Sequence, residues 1–309
     1  MNIAIFFDGT WNTIEDKTNV WKLKQDLAAD KVNVIGHYIE GLGTTPGMKY
    51  PGGALAIDFP MPIVDAYKWL TKKILNAENR QDIKLYLFGF SRGAYLAHTF
   101  SWLLEKCGIP GDRLDCERIA KEFLKHRIIK SSNVVKSPRV KMLGLWDVVS
   151  SQDDAYQNYY DGKRAPIVKR IYHAMSANEK RPRFPVMKYN AGRNVIQFWF
   201  SGDHSDVGGG HADDRRLSDI ALEWMKWNAG REGLPFKTAG RKTAQYDFKN
   251  LSIHDKAPKK EPNRKYGRGD KFHDSLVKRI KSPDSQGYKP QILNLPKRIV
   301  QIVEHYEAV

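Results

Sequence analysis

The sequence predicts an α/β fold: a mostly parallel sheet flanked by helices. Two observations carry this. Strand-like and helix-like segments alternate through the first 230 residues, and one strand-like run passes through Gly89-Phe90-Ser91-Arg92-Gly93 straight into a helix-like run. Candidate strands are Ile3–Phe7, Val32–Tyr38, Lys84–Phe88, Val140–Leu145 and Val195–Phe200. Candidate helices are Phe59–Asn76, Gly93–Lys106, Cys116–Lys130, Pro166–Ala177 and Asp219–Gly230. The clearest junction follows Ile83–Phe88, where Leu96, Phe100, Leu103 and Leu104 recur at helical spacing until Gly108 stops the helix. The Gly/Pro-rich stretch Gly41–Gly53 reads as a long loop near the site. Beyond Pro235 the periodicity fades: Pro258–Lys271 reads as an irregular basic surface loop, and Pro296–Tyr306 fits a short strand or a helix equally. The expected organisation is a core over residues 1–235 and a basic C-terminal extension over 236–309 packed on it.

A chain of 309 residues can bury a substantial core. Cys107 and Cys116 have no metal-like spacing, and nothing in the expected fold depends on a disulfide between them. No apolar run approaches the length of a membrane span. Met1–Phe7 lacks the basic start of a signal peptide, so it reads as a first strand and the protein as cytoplasmic when made. The formal charge of +16 is uneven, with seventeen Lys and Arg against six Asp and Glu between Lys237 and Arg298. Such a surface favours anionic partners (phospholipid headgroups, nucleic acid, an acidic protein), or else serves as a solvated face.

The G-x-S-x-G pattern in its strand–turn–helix frame is a nucleophile elbow, which lifts a serine hydroxyl above the sheet edge. The helix start behind Ser91 offers N–H groups and a partial positive charge to a developing oxyanion. A serine hydroxyl needs a base, and the base needs an orienting acid. In an α/β-hydrolase-like arrangement these follow in the order Ser, Asp/Glu, His, each at a strand end. Val140–Leu145 runs into Trp146-Asp147, and Val195–Phe200 into Ser201-Gly202-Asp203-His204, so Asp147 and His204 are the candidate acid and base. The oxyanion donors expected are the backbone N–H of Arg92 and one from Gly9 or Thr10, after the first strand. Asp8 and Asp206 are possible auxiliary groups, and His273 is a reserve base.

The tract from Asp203 to Asp214 is dense in carboxylates, histidines and glycines. Its carboxylates are read as satisfying backbone N–H groups of the glycine turn, although histidine with oxygen ligands could hold a divalent metal. No cofactor is otherwise expected. His254 reads as a surface or capping residue.

Five motifs occur in order: Phe7-Asp8-Gly9-Thr10-Trp11-Asn12, Gly41-Leu42-Gly43-Thr44, Gly89-Phe90-Ser91-Arg92-Gly93-Ala94, Gly144-Leu145-Trp146-Asp147-Val148-Val149 and Trp199 through Gly210. Over residues 1–230 the chain resembles the α/β-hydrolase domain family that includes the type VI secretion phospholipase effectors of the first lipase class. The resemblance implies esterase action on phospholipid acyl chains, with the nucleophile on Ser91 and its triad partners on Asp147 and His204. It makes export by a specialised secretion system possible, and a secreted effector would need an immunity protein as partner. Asn178 stands where the family has an aspartate, which leaves an auxiliary carboxylate open. The large membrane-docking region of the bigger effectors is missing, so lipid specificity and secretion do not transfer automatically.

The leading expectation is therefore a serine hydrolase cleaving lipid esters, steered to anionic membranes by its basic extension. Phe7-Asp8-Gly9-Thr10 also resembles the D-x-D-G-T box of aspartyl phosphatases, but that chemistry needs a carboxylate where Phe6 stands. A metal-dependent phosphoesterase built on His204, Asp206 and His211 is a second alternative. The third is a binding module for membrane or nucleic acid, with Tyr246, Phe248, Tyr266 and Phe272 among the basic residues. Without a recognised nucleic-acid motif, nucleic acid is not expected as the partner.

Overall fold

The computed structural model describes residues 1–29, 33–44, 60–125, 134–149, 161–241, 246–254, 264, 266–267, 269–282 and 284. The main sheet has six strands: β1 (Asn2–Phe7), β2 (Val34–Ile39), β3 (Lys84–Phe90), β4 (Val140–Trp146), β5 (Val168–Ser176) and β6 (Val195–Phe200). They lie in the order β2-β1-β3-β4-β5-β6 and every pairing is parallel. The chain leaves β1 for β2 on one side and returns to β3 on the other. The carboxyl ends of β1 and β3 thus flank a topological switch point, where open α/β sheets bind ligands.

The helices are α1 (Asn19–Gln25), α2 (Pro60–Leu75), α3 (Ser91–Cys107), α4 (Asp115–Leu124), α5 (His204–Gly208), α6 (Arg216–Arg231) and α7 (Asp274–Lys281). Successive strand residues face opposite sides, and both sides are apolar. Ile3, Ile5, Phe7, Leu85 and Leu87 pack under α2, α3 and α4, while Ala4, Phe6, Tyr86 and Phe88 pack against α1 and α6. Cys107 and Cys116 are free and buried.

One expected element has the wrong type. Pro166–Ala177 is not a helix; Val168–Ser176 forms β5, between the strands that end at Asp147 and lead to His204. Its apolar residues Val168, Ile171, Tyr172 and Met175 satisfy helical spacing. Burial on both faces also removes the alternation that would have marked a strand. The expected helix Cys116–Lys130 is described only to Lys125, and the loop Gly41–Gly53 only to Thr44. Pro296–Tyr306 and most of Pro258–Lys271 lie outside the described residues.

The described part of the C-terminal extension contacts the sheet edge. Trp199 of β6 donates its N–H to the Lys271 carbonyl at 2.9 Å and accepts from the His273 N–H at 2.9 Å. Phe272 and Leu276 are buried with Met175, Ala177 and Trp199. An otherwise open edge of the sheet is thereby covered. No helix among the described residues is long and apolar enough to cross a membrane.

Candidate active site

Ser91 is the first residue of α3 and has φ +58°, in the left-handed region that a non-glycine residue adopts only under constraint. The strain falls on the serine, while the flanking glycines allow close approach. A Cβ on Gly93 would lie 2.2 Å from the Asp8 carbonyl oxygen, and one on Gly89 would lie 2.5 Å from the Gly93 carbonyl oxygen. The end of β1 and the start of α3 can therefore touch only because Gly93 has no side chain.

Asp147 directly follows β4 and also has positive φ, +43°. Its Oδ2 lies 2.6 Å from His204 Nδ1, with both side chains buried. Oδ1 accepts the Ser176 N–H at 2.9 Å. The His204 ring sits 4.6 Å from that of Phe90, the residue preceding Ser91, and meets Phe184 edge-on at 5.0 Å. The structure thus brings the expected acid and base together beside the elbow. Among the described residues no hydrogen bond joins Ser91 Oγ to His204.

A third group at this pair went unnoticed in the sequence. Arg264 places Nη1 2.5 Å from Asp147 Oδ1 and Nη2 3.0 Å from Oδ2, and donates also to the carbonyls of Ser176 and Phe184. Burial would raise the Asp147 pKa, but the Arg264 charge and the His204 hydrogen bond outweigh it and hold the carboxyl well below the usual range. Nothing local distinguishes Arg264 from the other basic residues of its loop. His173, on β5, is a neutral core histidine: burial pushes its pKa down to about 4, and its Nε2 accepts the Val148 N–H at 3.1 Å. Asn178 accepts the Gly202 N–H at 2.8 Å. The adjacent Glu179 is a buried carboxylate paired with Arg181 at 2.7 Å, and its Oε2 accepts the His204 N–H at 3.3 Å.

The turn after β1 differs from expectation. The Gly9 N–H donates to Asp8 Oδ1 at 2.7 Å, which takes it away from an oxyanion. Thr10 remains, and its buried Oγ1 has no partner among the described residues. Asp8 Oδ2 accepts the hydroxyls of Thr18 and Tyr38, each at 2.6 Å. Burial nevertheless dominates and pushes Asp8 up to about 6. Asp8 orients the loop and does not pair with His204.

Among the described residues, two other candidates form no hydrogen bond with Asp147 or the His204 ring. His273 caps α7, stacks on Phe200 at 4.3 Å and is held neutral by burial, so the reserve base is structural. Asp206 Oδ2 accepts the N–H groups of Asp203 at 2.9 Å and His254 at 3.2 Å, so it caps the start of α5 and ties down the extension rather than serving the glycine turn. His254 is no bland surface residue: its Nδ1 lies 2.6 Å from Asp206 Oδ1.

The family profile described as the T6SS phospholipase effector Tle1-like catalytic domain matches residues 1–127 and 112–227. The chain belongs to this family. Among solved structures, an uncharacterised protein from Pseudomonas aeruginosa superposes on this Tle1-like chain with a TM-score of 0.50 at 17% identity, covering 77% of this chain and 46% of that one. A Tle1 effector bound to the VgrG spike of the type 6 secretion system gives a TM-score of 0.47 at 19% identity, covering 68% and 51%. The chain thus spans about half the length of each. An uncharacterised protein of Saccharomyces cerevisiae, YEL023C, is 46% identical over 66 residues, 19% of this chain and 9% of that protein.

Proposed function

We propose that this chain is a carboxylic-ester hydrolase acting on phospholipids or related lipid esters, with Ser91 as nucleophile, His204 as base and Asp147 as its orienting acid. The observation that carries the reading is the buried 2.6 Å contact between Asp147 and His204, packed against the residue before a strained serine at a helix N-terminus. Asp147 on Nδ1 fixes the tautomer and leaves His204 Nε2 to take the Ser91 proton as Oγ attacks the acyl carbonyl. The same nitrogen then returns the proton to the leaving alcohol. Backbone N–H groups of Arg92 and Thr10 are the proposed oxyanion donors, beside the positive end of α3.

The basic extension would draw the enzyme to anionic membrane surfaces. Family membership supports the lipid substrate and export by type VI secretion as parts of the same proposal; a cognate immunity protein would follow from such export. A nucleic-acid platform is disfavoured by packing. Phe248 and Phe272 are buried, Tyr246 donates to Asp274 at 2.8 Å, and Tyr266 donates to the Ala177 carbonyl.

The test is labelling by a fluorophosphonate probe and turnover on a phospholipid ester panel. Wild type should label and turn over, and a folded Ser91→Ala variant should do neither. Undiminished hydrolysis by Ser91→Ala would sink the proposal. So would chelation-sensitive phosphoesterase activity with no acyl-ester cleavage.

A further inference from the structure

Beyond the Asp147–His204 pair, a second set of titratable side chains converges without a part in ester chemistry. Asp203 and Asp206 belong to the turn of α5, His211 follows its glycines, and His254 arrives from the extension. One donor atom each from Asp206, His211 and His254 lies within 4.8 Å of the others. His211 Nε2 is 3.9 Å from Asp206 Oδ1 and 3.4 Å from Asp203 Oδ1, and the two imidazoles stack at 3.8 Å.

We propose that Asp206, His211 and His254 bind a divalent transition-metal ion, best matched by zinc. The donor set is mixed imidazole nitrogen and carboxylate oxygen, which suits zinc and its neighbours, whereas calcium and magnesium take oxygen alone.

Two further observations point to a cation. Asp203 is 2% exposed, yet its Oδ2 has no hydrogen-bond partner among the described residues, a carboxylate oxygen buried without compensation. His254 directs Nδ1 at Asp206, while its Nε2 lies 3.1 Å from both oxygens of Asp213. A carboxylate on the far nitrogen is how a metal-bound histidine is held in tautomer and orientation.

Zinc–ligand bonds of about 2.0–2.2 Å place ligand atoms farther apart than the 2.6 Å between Asp206 and His254. Binding therefore opens that hydrogen bond, turns the two near-parallel imidazoles until both lone pairs meet the ion, and releases the proton to solvent. The His211 and His254 side chains are 10% and 16% exposed, so the ion has a way in. Three protein ligands leave the fourth position of a tetrahedral shell to water. The ion would pin residues 246–254 to the loop that carries His204, two positions before Asp206. This inference does not depend on the ester-hydrolase reading.

The experiment strips the full chain with chelator, dialyses it and adds Zn²⁺, counting bound metal by elemental analysis and following thermal unfolding. The expected result is about one ion per chain and a higher melting temperature, with both lost in His211→Ala/His254→Ala. Asp213→Asn alters only an exposed partner of His254 and leaves folding intact; it should weaken zinc binding by about tenfold. Cobalt in place of zinc should give the absorption of a tetrahedral site. Wild type that takes up no zinc overturns the proposal. So does equal uptake by wild type and a folded double variant, or Asp213→Asn binding with unchanged affinity.

Discussion

Arg264 grips Asp147 with both terminal nitrogens, at 2.5 Å and 3.0 Å, from a loop 117 residues away in sequence. The proposed orienting acid is thus held from the strand side by the Ser176 N–H and from the extension by a guanidinium. A buried carboxylate with this partner stays ionised where burial alone would neutralise it. The extension, which looks from sequence like a charged surface, supplies part of the candidate active site.

Arg264→Ala should therefore cost about 3–5 kcal/mol of stability, because it leaves a buried charge with half its compensation. Asp147 would titrate at higher pH, so the acid limb of a kcat/KM profile moves upward. Arg264→Lys should restore most of the stability and only part of the profile, because an ammonium cannot match the two-pronged geometry. A profile unchanged in Arg264→Ala would show that Arg264 only fastens the extension. Chemical denaturation and pH–rate curves are the measurements.

Asp8 makes the opposite demand on pH. Its pKa is raised from 3.8 to about 6, so its contribution to stability is complete below pH 4 and is lost as pH rises through 6. At about 1.4 kcal/mol per unit, this amounts to roughly 3 kcal/mol. Asp8→Asn keeps an acceptor for Gly9 and removes the charge. Relative to wild type it should gain about that much between pH 4 and pH 7, read from urea midpoints. A constant difference across that range would refute the assignment.

His273 is buried neutral, its pKa depressed from 6.5 to about 4. That stability is present above pH 6.5 and lost as pH falls through 4. His273→Asn preserves a cap for α7 and carries a fixed loss of packing on Phe200. Between pH 7 and pH 4 it should lack about 3 kcal/mol of the acid destabilisation shown by wild type. Parallel stability curves for the two proteins would contradict this.

The elbow stores strain. Ser91→Gly, which suits φ +58°, should be more stable than Ser91→Ala by about 1 kcal/mol, and both should be inactive. Equal melting temperatures for the two variants would mean that the surrounding packing, not the backbone, sets the cost.

The sequence by itself determined the alternating α/β pattern, the elbow at Ser91 and the strand-end positions of Asp147 and His204. Each rests on local information: an apolar run, a glycine spacing, the residue at which a strand stops. Where local information was ambiguous it misled. The apolar spacing of residues 166–177 satisfies a helix, and only a place between two parallel strands made it β5. Tertiary structure alone decided that the Gly9 N–H belongs to Asp8, that His273 is a cap and that His254 meets Asp206. It also decided that Arg264, among many basic residues, reaches Asp147. These contacts join positions far apart in the chain, and their chemistry comes from burial and charge neighbours that exist only once the extension lies against the core.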